Sequence, residues 1–150
     1  MTDAELNKLK EGFHVWITLP VQWGDQDAFQ HVNNTVYLRW FESARIAYGN
    51  QALMELSVEG RKIGPILAAI SCNYRRQLTF PDTVHIGARV TRIGNSSLKM
   101  EHRVISEALG AIAAEGDSTL VAFDYTLQRP VPVSDAVRAA IEKVEGRPVG

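Results

Sequence analysis

Between Trp23 and Asn34 the chain reads Trp-Gly-Asp-Gln-Asp-Ala-Phe-Gln-His-Val-Asn-Asn. Two carboxylates (Asp25, Asp27), an imidazole (His31) and a pair of asparagines (Asn33, Asn34) therefore fall within one short segment. A carboxylate can take a proton from water or attack an electrophilic carbonyl. An imidazole changes charge near neutral pH and suits general-base work. The same residue types also build an Asx-rich loop that does no more than cap a helix. Asp25, Asp27 and His31 could instead ligate a divalent cation, but a third or fourth ligand has no obvious source, and no metal site is predicted. A phosphotransferase built on the Asp-x-Asp pair would need a longer α/β core and partner motifs that the chain lacks.

The elements on either side decide which chemistry is open to this loop. Before it, Phe13–Trp23 alternates Val15, Ile17, Leu19 and Val21 with more polar residues, the period of a half-buried strand. Pro20 cannot donate to a ladder and suggests an edge or an irregular strand end. After it, Val36/Tyr37, Trp40/Phe41, Ala44 and Ala47/Tyr48 recur at three- and four-residue steps, the spacing of a helix. Arg39, Glu42 and Arg45 mark its polar side, Asn33 or Asn34 suits its N-cap, and Gly49-Asn50 suits its end. So aromatic a helix needs a sheet wrapped against it. Its N-terminus, beside the carboxylates, offers unpaired N–H groups and the positive end of the helix dipole, which suit an oxyanion or a phosphate.

Beyond a predicted loop near Gly60–Pro65 the chain turns to strands: Ile66–Leu78, Thr83–Ile93, Ser96–Ser106, Ala108–Glu115 and Thr119–Gln128. Gly94-Asn95 reads as one tight turn and Gly116-Asp117 as another. Pro130 and Pro132 end the last strand, and Ser134 caps a helix from Asp135 to about Val144. Strand, long helix and consecutive strands on short turns make an α+β fold with an antiparallel sheet of five to six strands.

Length and composition agree with one domain over 1–150. The chain is 45% hydrophobic and 22% charged, which excludes wholesale disorder. A single cysteine, Cys72, permits no internal disulfide. A net charge of −1 advertises neither nucleic acid nor an anionic membrane. The purest aliphatic run, Ile66–Ile70, is far short of a membrane span, and no signal-peptide core precedes it. A soluble, cytoplasmic protein is expected.

Asp25-Gln26-Asp27-Ala28-Phe29-Gln30-His31-Val32-Asn33-Asn34, followed by Tyr37, Phe41-Glu42 and Ala44-Arg45, resembles the hotdog-fold acyl-CoA thioesterases of the 4-hydroxybenzoyl-CoA thioesterase type. Their pattern is approximately D-x-D-x-x-G-H-V-N-N-x-x-Y-x-x-x-F-E-x-A-R. The resemblance implies a sheet wrapped round the long helix, homodimers or homotetramers joined edge to edge, and an active site at the subunit junction. It implies Asp27 as nucleophile or general base, and an oxyanion hole of N–H groups near His31–Asn34, Asn34 foremost. It implies an acyl-CoA substrate, with acyl carrier protein as another possible thiol carrier, and no separate cofactor. One departure is Gln30, where the pattern has Gly; a positive φ costs Gln more than Gly.

Other residues receive narrower expectations. Asp25 shapes the loop, His31 divides between catalysis and holding loop to helix, and Glu42 pairs with Arg39 or Arg45 or serves as a rival carboxylate. Cys72 lacks an activating base and is not expected to act as a nucleophile. Arg75, Arg76, Arg89, Arg92 and Lys99 are cations of the kind that bind coenzyme A phosphates. Among them Arg75, Arg76, Arg92 and Lys99 are the substrate-binding candidates, with Ser96 and Ser97 as further donors on the Arg92–Ser97 turn. A hotdog protein that binds acyl thioesters without hydrolysing them, or a dehydratase, is the alternative function.

Overall fold

The computed structural model describes residues 1–52, 56–58 and 60–150. A short helix α1 (Asp3–Leu9) leads into β1 (Val15–Pro20), and a turn of 3₁₀-helix (Trp23–Asp25) opens the polar loop. The long helix α2 (Asn34–Ala52) follows. Then come β2 (Leu56–Val58), β3 (Arg61–Tyr74), β4 (Thr83–Ile93), β5 (Ser97–Ser106), β6 (Ala111–Asp124) and β7 (Arg129–Pro130) before the last helix, α3 (Asp135–Glu145). All pairings are antiparallel and run in the order β1-β4-β5-β6-β3-β2, with β7 on β6. No helix among the described residues is long and apolar enough to cross a membrane.

The helix α2 forms where its apolar spacing requires. Val36, Tyr37, Trp40, Phe41, Ala44, Tyr48 and Ala52 are its buried residues, one stripe at three- and four-residue steps. That stripe shares one buried cluster with Val84, Ile86, Ala88 and Val90 of β4 and Met100 and Val104 of β5, all with essentially no exposed surface. Each such aliphatic side chain taken from water contributes about 1.5–3 kcal/mol. The Oδ1 of Asn33, immediately before the helix, accepts the Thr35 amide at 3.0 Å and so caps it. The helix does not stop at Gly49-Asn50 but continues through Ala52, which is fully buried. Packing overrides two mediocre helix formers there.

Three other expectations need correction. Strand β3 begins at Arg61 and ends at Tyr74, so the expected loop at Gly60–Pro65 is mostly strand; β2 supplies its partner there, pairing Leu56 with Ile63. The two strands expected at 108–115 and 119–128 are one, β6, and Gly116-Asp117 is no turn. Gly116 pairs with His102 on one side and Cys72 on the other. A Cβ there would run into the Ser71 carbonyl oxygen and lie 2.6 Å from Cε2 of Phe41. The glycine serves close approach of helix to sheet, not chain reversal. Helix α1, unforeseen, carries a capping box between Thr2 and Glu5.

The C-terminal helix closes the far end of the core. Ser134 caps it as expected, accepting the Val137 amide at 3.2 Å, and Gly146 ends it at φ 72°. Its buried Glu145 accepts hydrogen bonds from the Tyr48 hydroxyl and, at 3.1 Å, from the Val90 amide. Burial first, then that bond to Glu145, pushes the Tyr48 hydroxyl pKa far up, so it remains a donor.

Candidate active site

The polar loop folds back on itself just ahead of α2. The Asp27 amide donates to the His31 carbonyl at 2.9 Å, and the Gln30 amide donates to the Asp27 carbonyl at 3.0 Å. This tight return needs a left-handed residue, and Gln30 supplies it at φ 64°. Gln30 thus adopts the backbone that the related pattern assigns to glycine, at a cost of about 1–2 kcal/mol. Two side chains help hold the loop. Asp25 Oδ2 accepts the Gln22 amide at 2.8 Å, and Gln26 Oε1 accepts the Phe80 amide at 3.0 Å. Arg39 stands 3.9 Å from Asp25 Oδ1. Asp25 is therefore bound into the loop's own architecture.

Asp27 is exposed, and its Oδ1 accepts the Phe29 amide at 2.9 Å. It lines a cavity of about 490 Å³ with Phe29, His31, Asn34, Tyr37, Tyr74, Arg75 and Arg76 among the other walls. At the entrance to α2 the amides of Val32, Asn33, Thr35 and Val36 are all engaged, by Leu78 O, Asp25 O, Asn33 Oδ1 and Asn33 O. The amide of Asn34 has no hydrogen-bond partner among the described residues. Asp27 and Asn34, the latter with its amide unengaged, thus line one cavity, a pairing of residue types that suits attack on a carbonyl with stabilisation of the resulting oxyanion.

Tyr74, which nothing in the sequence singles out, closes the opposite wall. Its hydroxyl donates to the Asn34 carbonyl at 3.0 Å, and its ring meets Tyr37 edge-on at 4.9 Å. The only local signal would have been its place just before Arg75-Arg76. Burial, then the nearby Cys72 and Tyr74, pushes the Tyr37 hydroxyl up to about 12, so it stays protonated at working pH. Burial also raises the Cys72 thiol. That residue lies half-buried on β3.

The expected cations divide. Arg75 and Arg76 line the cavity; Arg75 also stands 3.6 Å from Glu115 on the outer face, whereas Arg76 makes no ion pair among the described residues. Arg89 lies on the outer face, paired with Glu101. The turn bearing Arg92, Ser96, Ser97 and Lys99 lies level with Pro65 on β3, since the Ala122 amide donates to Ser96 O and Ala122 pairs with Pro65. Nine residues of strand separate that level from Tyr74, about 30 Å. Within one chain the turn is not brought to Asp27. Glu42 is also outside this cavity, exposed on α2, and among the described residues it forms no close ion pair with Arg39 or Arg45. Among the described residues no three His, Cys, Asp or Glu side chains gather as metal ligands would.

A profile of the thioesterase-like superfamily matches residues 21–141, nearly the whole of this architecture. The chain belongs to that superfamily. Its reaction class is thioester hydrolysis. A crystal structure of a thioesterase from Thermus thermophilus, complexed with coenzyme A and Zn, is 36% identical with a TM-score of 0.78, covering 92% of this chain and 99% of that one. A putative thioesterase from Pseudomonas aeruginosa is 34% identical with a TM-score of 0.75, covering 86% of this chain and 98% of that one. Among characterised sequences, the long-chain acyl-CoA thioesterase FadM of Escherichia coli is 25% identical over 118 residues, 79% of this chain and 89% of its own. The antiparallel sheet curled over a 19-residue helix is the hotdog fold.

Proposed function

We propose that this thioesterase hydrolyses acyl-CoA, with Asp27 as the reacting carboxylate and the Asn34 amide as the principal oxyanion donor. The observation that carries the reading is that Asp27 and Asn34, whose amide is unengaged, line one cavity. As a base, Asp27 takes a proton from water while the hydroxide adds to the thioester carbon. The oxyanion then rests on the Asn34 N–H, and its collapse breaks the C–S bond and returns the proton to the leaving thiolate. As a nucleophile, Asp27 would form a mixed anhydride with loss of the thiol, and water would then cleave it. Both routes consume one water and release one carboxylic acid and one thiol. His31 holds the loop through its carbonyl and is another residue of the same cavity wall.

In this reading Arg76 and Arg75, both walls of that cavity, receive the nucleotide phosphates, and Arg76 is the freer of the two because Arg75 stands 3.6 Å from Glu115. The chain acts as a homo-oligomer in this reading. Beyond Ile63, where β2 ends its pairing, the outer edge of β3 from Gly64 to Tyr74 has no strand partner among the described residues, and Ile66 and Leu67 are exposed on it. Such an edge invites a second copy. Antiparallel pairing of two β3 strands would bring a second copy's turn, carrying Arg92, Ser96, Ser97 and Lys99, to the end of the sheet that holds Asp27.

The test is incubation with acetyl-, octanoyl-, palmitoyl- and benzoyl-CoA, and with an acylated carrier protein, in the presence of a thiol reagent. Release of free coenzyme A from at least one acyl-CoA is expected. Saturable binding of acyl-CoA without any thiol release would identify a binding protein and refute the reading.

A further inference from the structure

The β1 edge of the sheet carries a second set of side chains with nucleophilic chemistry, on the face turned away from α2. Val84 and Ile86 of β4 are fully buried in the core cluster that includes α2, so His85 between them lies on the outer face. Thr18 of β1 is directly across from it in the register. The Val21 amide donates to Asp82 O at 2.8 Å, which fixes the alternation along this ladder. Thr18 and His85 are thereby a non-hydrogen-bonded pair, the kind whose side chains stand closer together. Glu107 follows β5 and lies on the same face, one diagonal step away. Its amide donates to Thr83 O at 3.0 Å, two residues before His85.

The three side chains form one relay. Thr18 Oγ1 lies 2.9 Å from His85 Nδ1, and His85 Nε2 lies 2.7 Å from Glu107 Oε2. A carboxylate only accepts, so Nε2 carries the ring proton. In the neutral ring Nδ1 is then bare and accepts the Thr18 hydroxyl. His85 is buried, whereas Thr18 and Glu107 are exposed. An exposed alcohol, backed by an imidazole that a carboxylate orients, is an activated nucleophile. The backbone adds a donor. By the same alternation the Thr18 N–H points away from β4, and β1 has no further strand beside it among the described residues. In serine hydrolases the nucleophile's own N–H is likewise one of the oxyanion donors. Trp16, two residues earlier on that face, is half-buried and offers an aryl group an aromatic neighbour about 7 Å along the strand.

We propose that Thr18 is a second acyl-accepting nucleophile, with His85 as its base and Glu107 orienting that base, and that it takes acyl groups from activated aryl esters. The inference goes beyond the thioesterase reading and does not depend on it, since none of the three residues lines the Asp27 cavity. Thr18 Oγ1 adds to the ester carbonyl carbon while its proton passes to His85 Nδ1. The bond from that carbon to the aryl oxygen then breaks, the aryloxide takes the proton, and an acyl-threonine remains. Water gives a proton to the same nitrogen and cleaves the acyl-threonine, which restores the hydroxyl. One ester and one water become one carboxylic acid and one phenol.

The experiment uses the full chain carrying Asp27→Asn, in which the carboxylate of the main cavity cannot contribute. One probe is p-nitrophenyl acetate, read by release of p-nitrophenol. The other is an alkyl fluorophosphonate: the same hydroxyl attacks phosphorus, fluoride leaves, and the stable phosphonate ester is located by peptide mass mapping. The label is expected on Thr18, a result that needs no further variant to fold. Thr18→Val keeps the branched shape and should abolish the label; His85→Gln should slow labelling and p-nitrophenol release by about 10²–10⁴. Thr18→Ser should hold both within a few-fold. Glu107→Ala should slow labelling about tenfold or more, and Glu107→Asp should recover part of it. A melting curve for each variant separates lost chemistry from lost fold. A label that lands elsewhere or not at all would overturn the proposal. So would p-nitrophenol release that stays within twofold in both Thr18→Val and His85→Gln, which would leave the three side chains as a tie between strands. Acyl-CoA hydrolysis by the unmodified chain is a separate measurement, so either reading can fail alone.

Discussion

Replacing Asp27 by asparagine isolates the proton and nucleophile chemistry from the structure of the loop. The Oδ1 of the new side chain can still accept the Phe29 amide, which Asp27 does now at 2.9 Å. The backbone pairs of residue 27 with His31 and Gln30 do not involve the side chain at all. The loop, the helix start and the cavity should therefore persist, and Tm should stay within a few degrees. What is lost is a group able to take a proton from water or to attack a carbonyl. General-base help is typically worth about 10²–10⁴ in rate, or roughly 2.7–5.4 kcal/mol of transition-state free energy. The assay is kcat at saturating acyl-CoA, read by thiol release, with ligand binding measured on the same variant. Asp25→Asn should be far milder, because Asp25 accepts the Gln22 amide within the loop. Glu42→Gln, on the exposed side of α2, should be nearly silent. An Asp27→Asn enzyme within a few-fold of wild-type kcat, beside a dead Glu42→Gln enzyme, would show that the wrong carboxylate has been assigned.

Alanine at Arg76 should raise KM for acyl-CoA well beyond any change in kcat, and the difference should shrink as salt rises over a Debye length of about 8 Å at physiological ionic strength; Arg75→Ala should do less, since Glu115 already engages it. Gly116→Ala should lower stability by about 3 kcal/mol, several degrees in Tm, because its Cβ meets the Ser71 carbonyl and the Phe41 ring; an unchanged melting curve would contradict the close approach. Burial, and secondarily Arg45, holds the His102 imidazole down at about 3 from its ordinary 6.5. Between those values the unfolded chain takes up a proton that the folded chain refuses, so urea stability should fall as pH drops from 6.5 towards 3, by up to about 1.4 kcal/mol per unit. His102→Gln should flatten that slope. Light scattering at micromolar protein should give a dimer or larger species, and a monomeric mass would refute the pairing proposed along β3.

The sequence alone carried the elements whose signals are local. The apolar spacing from Val36 to Tyr48 marked α2, and Ser134 marked the start of α3, because periodicity and capping depend on residues only a few positions apart. The cluster from Asp25 to Asn34 was legible for the same reason: its spacing sets a carboxylate beside a helix N-terminus whatever the rest of the chain does. Gln30 even carried the strain of its loop as a visible departure from glycine.

Other features have partners far along the chain, and only the tertiary structure decides them. Gly116 looked like a turn because a glycine that admits Phe41, 75 residues earlier, has the same local appearance as one that reverses the chain. Tyr74 became a wall of the site through a bond to Asn34, 40 residues away. Arg75 and Arg76 share the cavity with Asp27, while the turn holding Arg92 and Lys99 lies at the other end of the sheet. All four are ordinary exposed cations in sequence; strand register, set by the pairing of β3 with β6 and β6 with β5, separates them. The cavity of about 390 Å³ beneath the segment that follows β7 is drawn from β3, β5, β6 and α3 together. No segment contains it, because a cavity exists only where separately folded surfaces fail to meet.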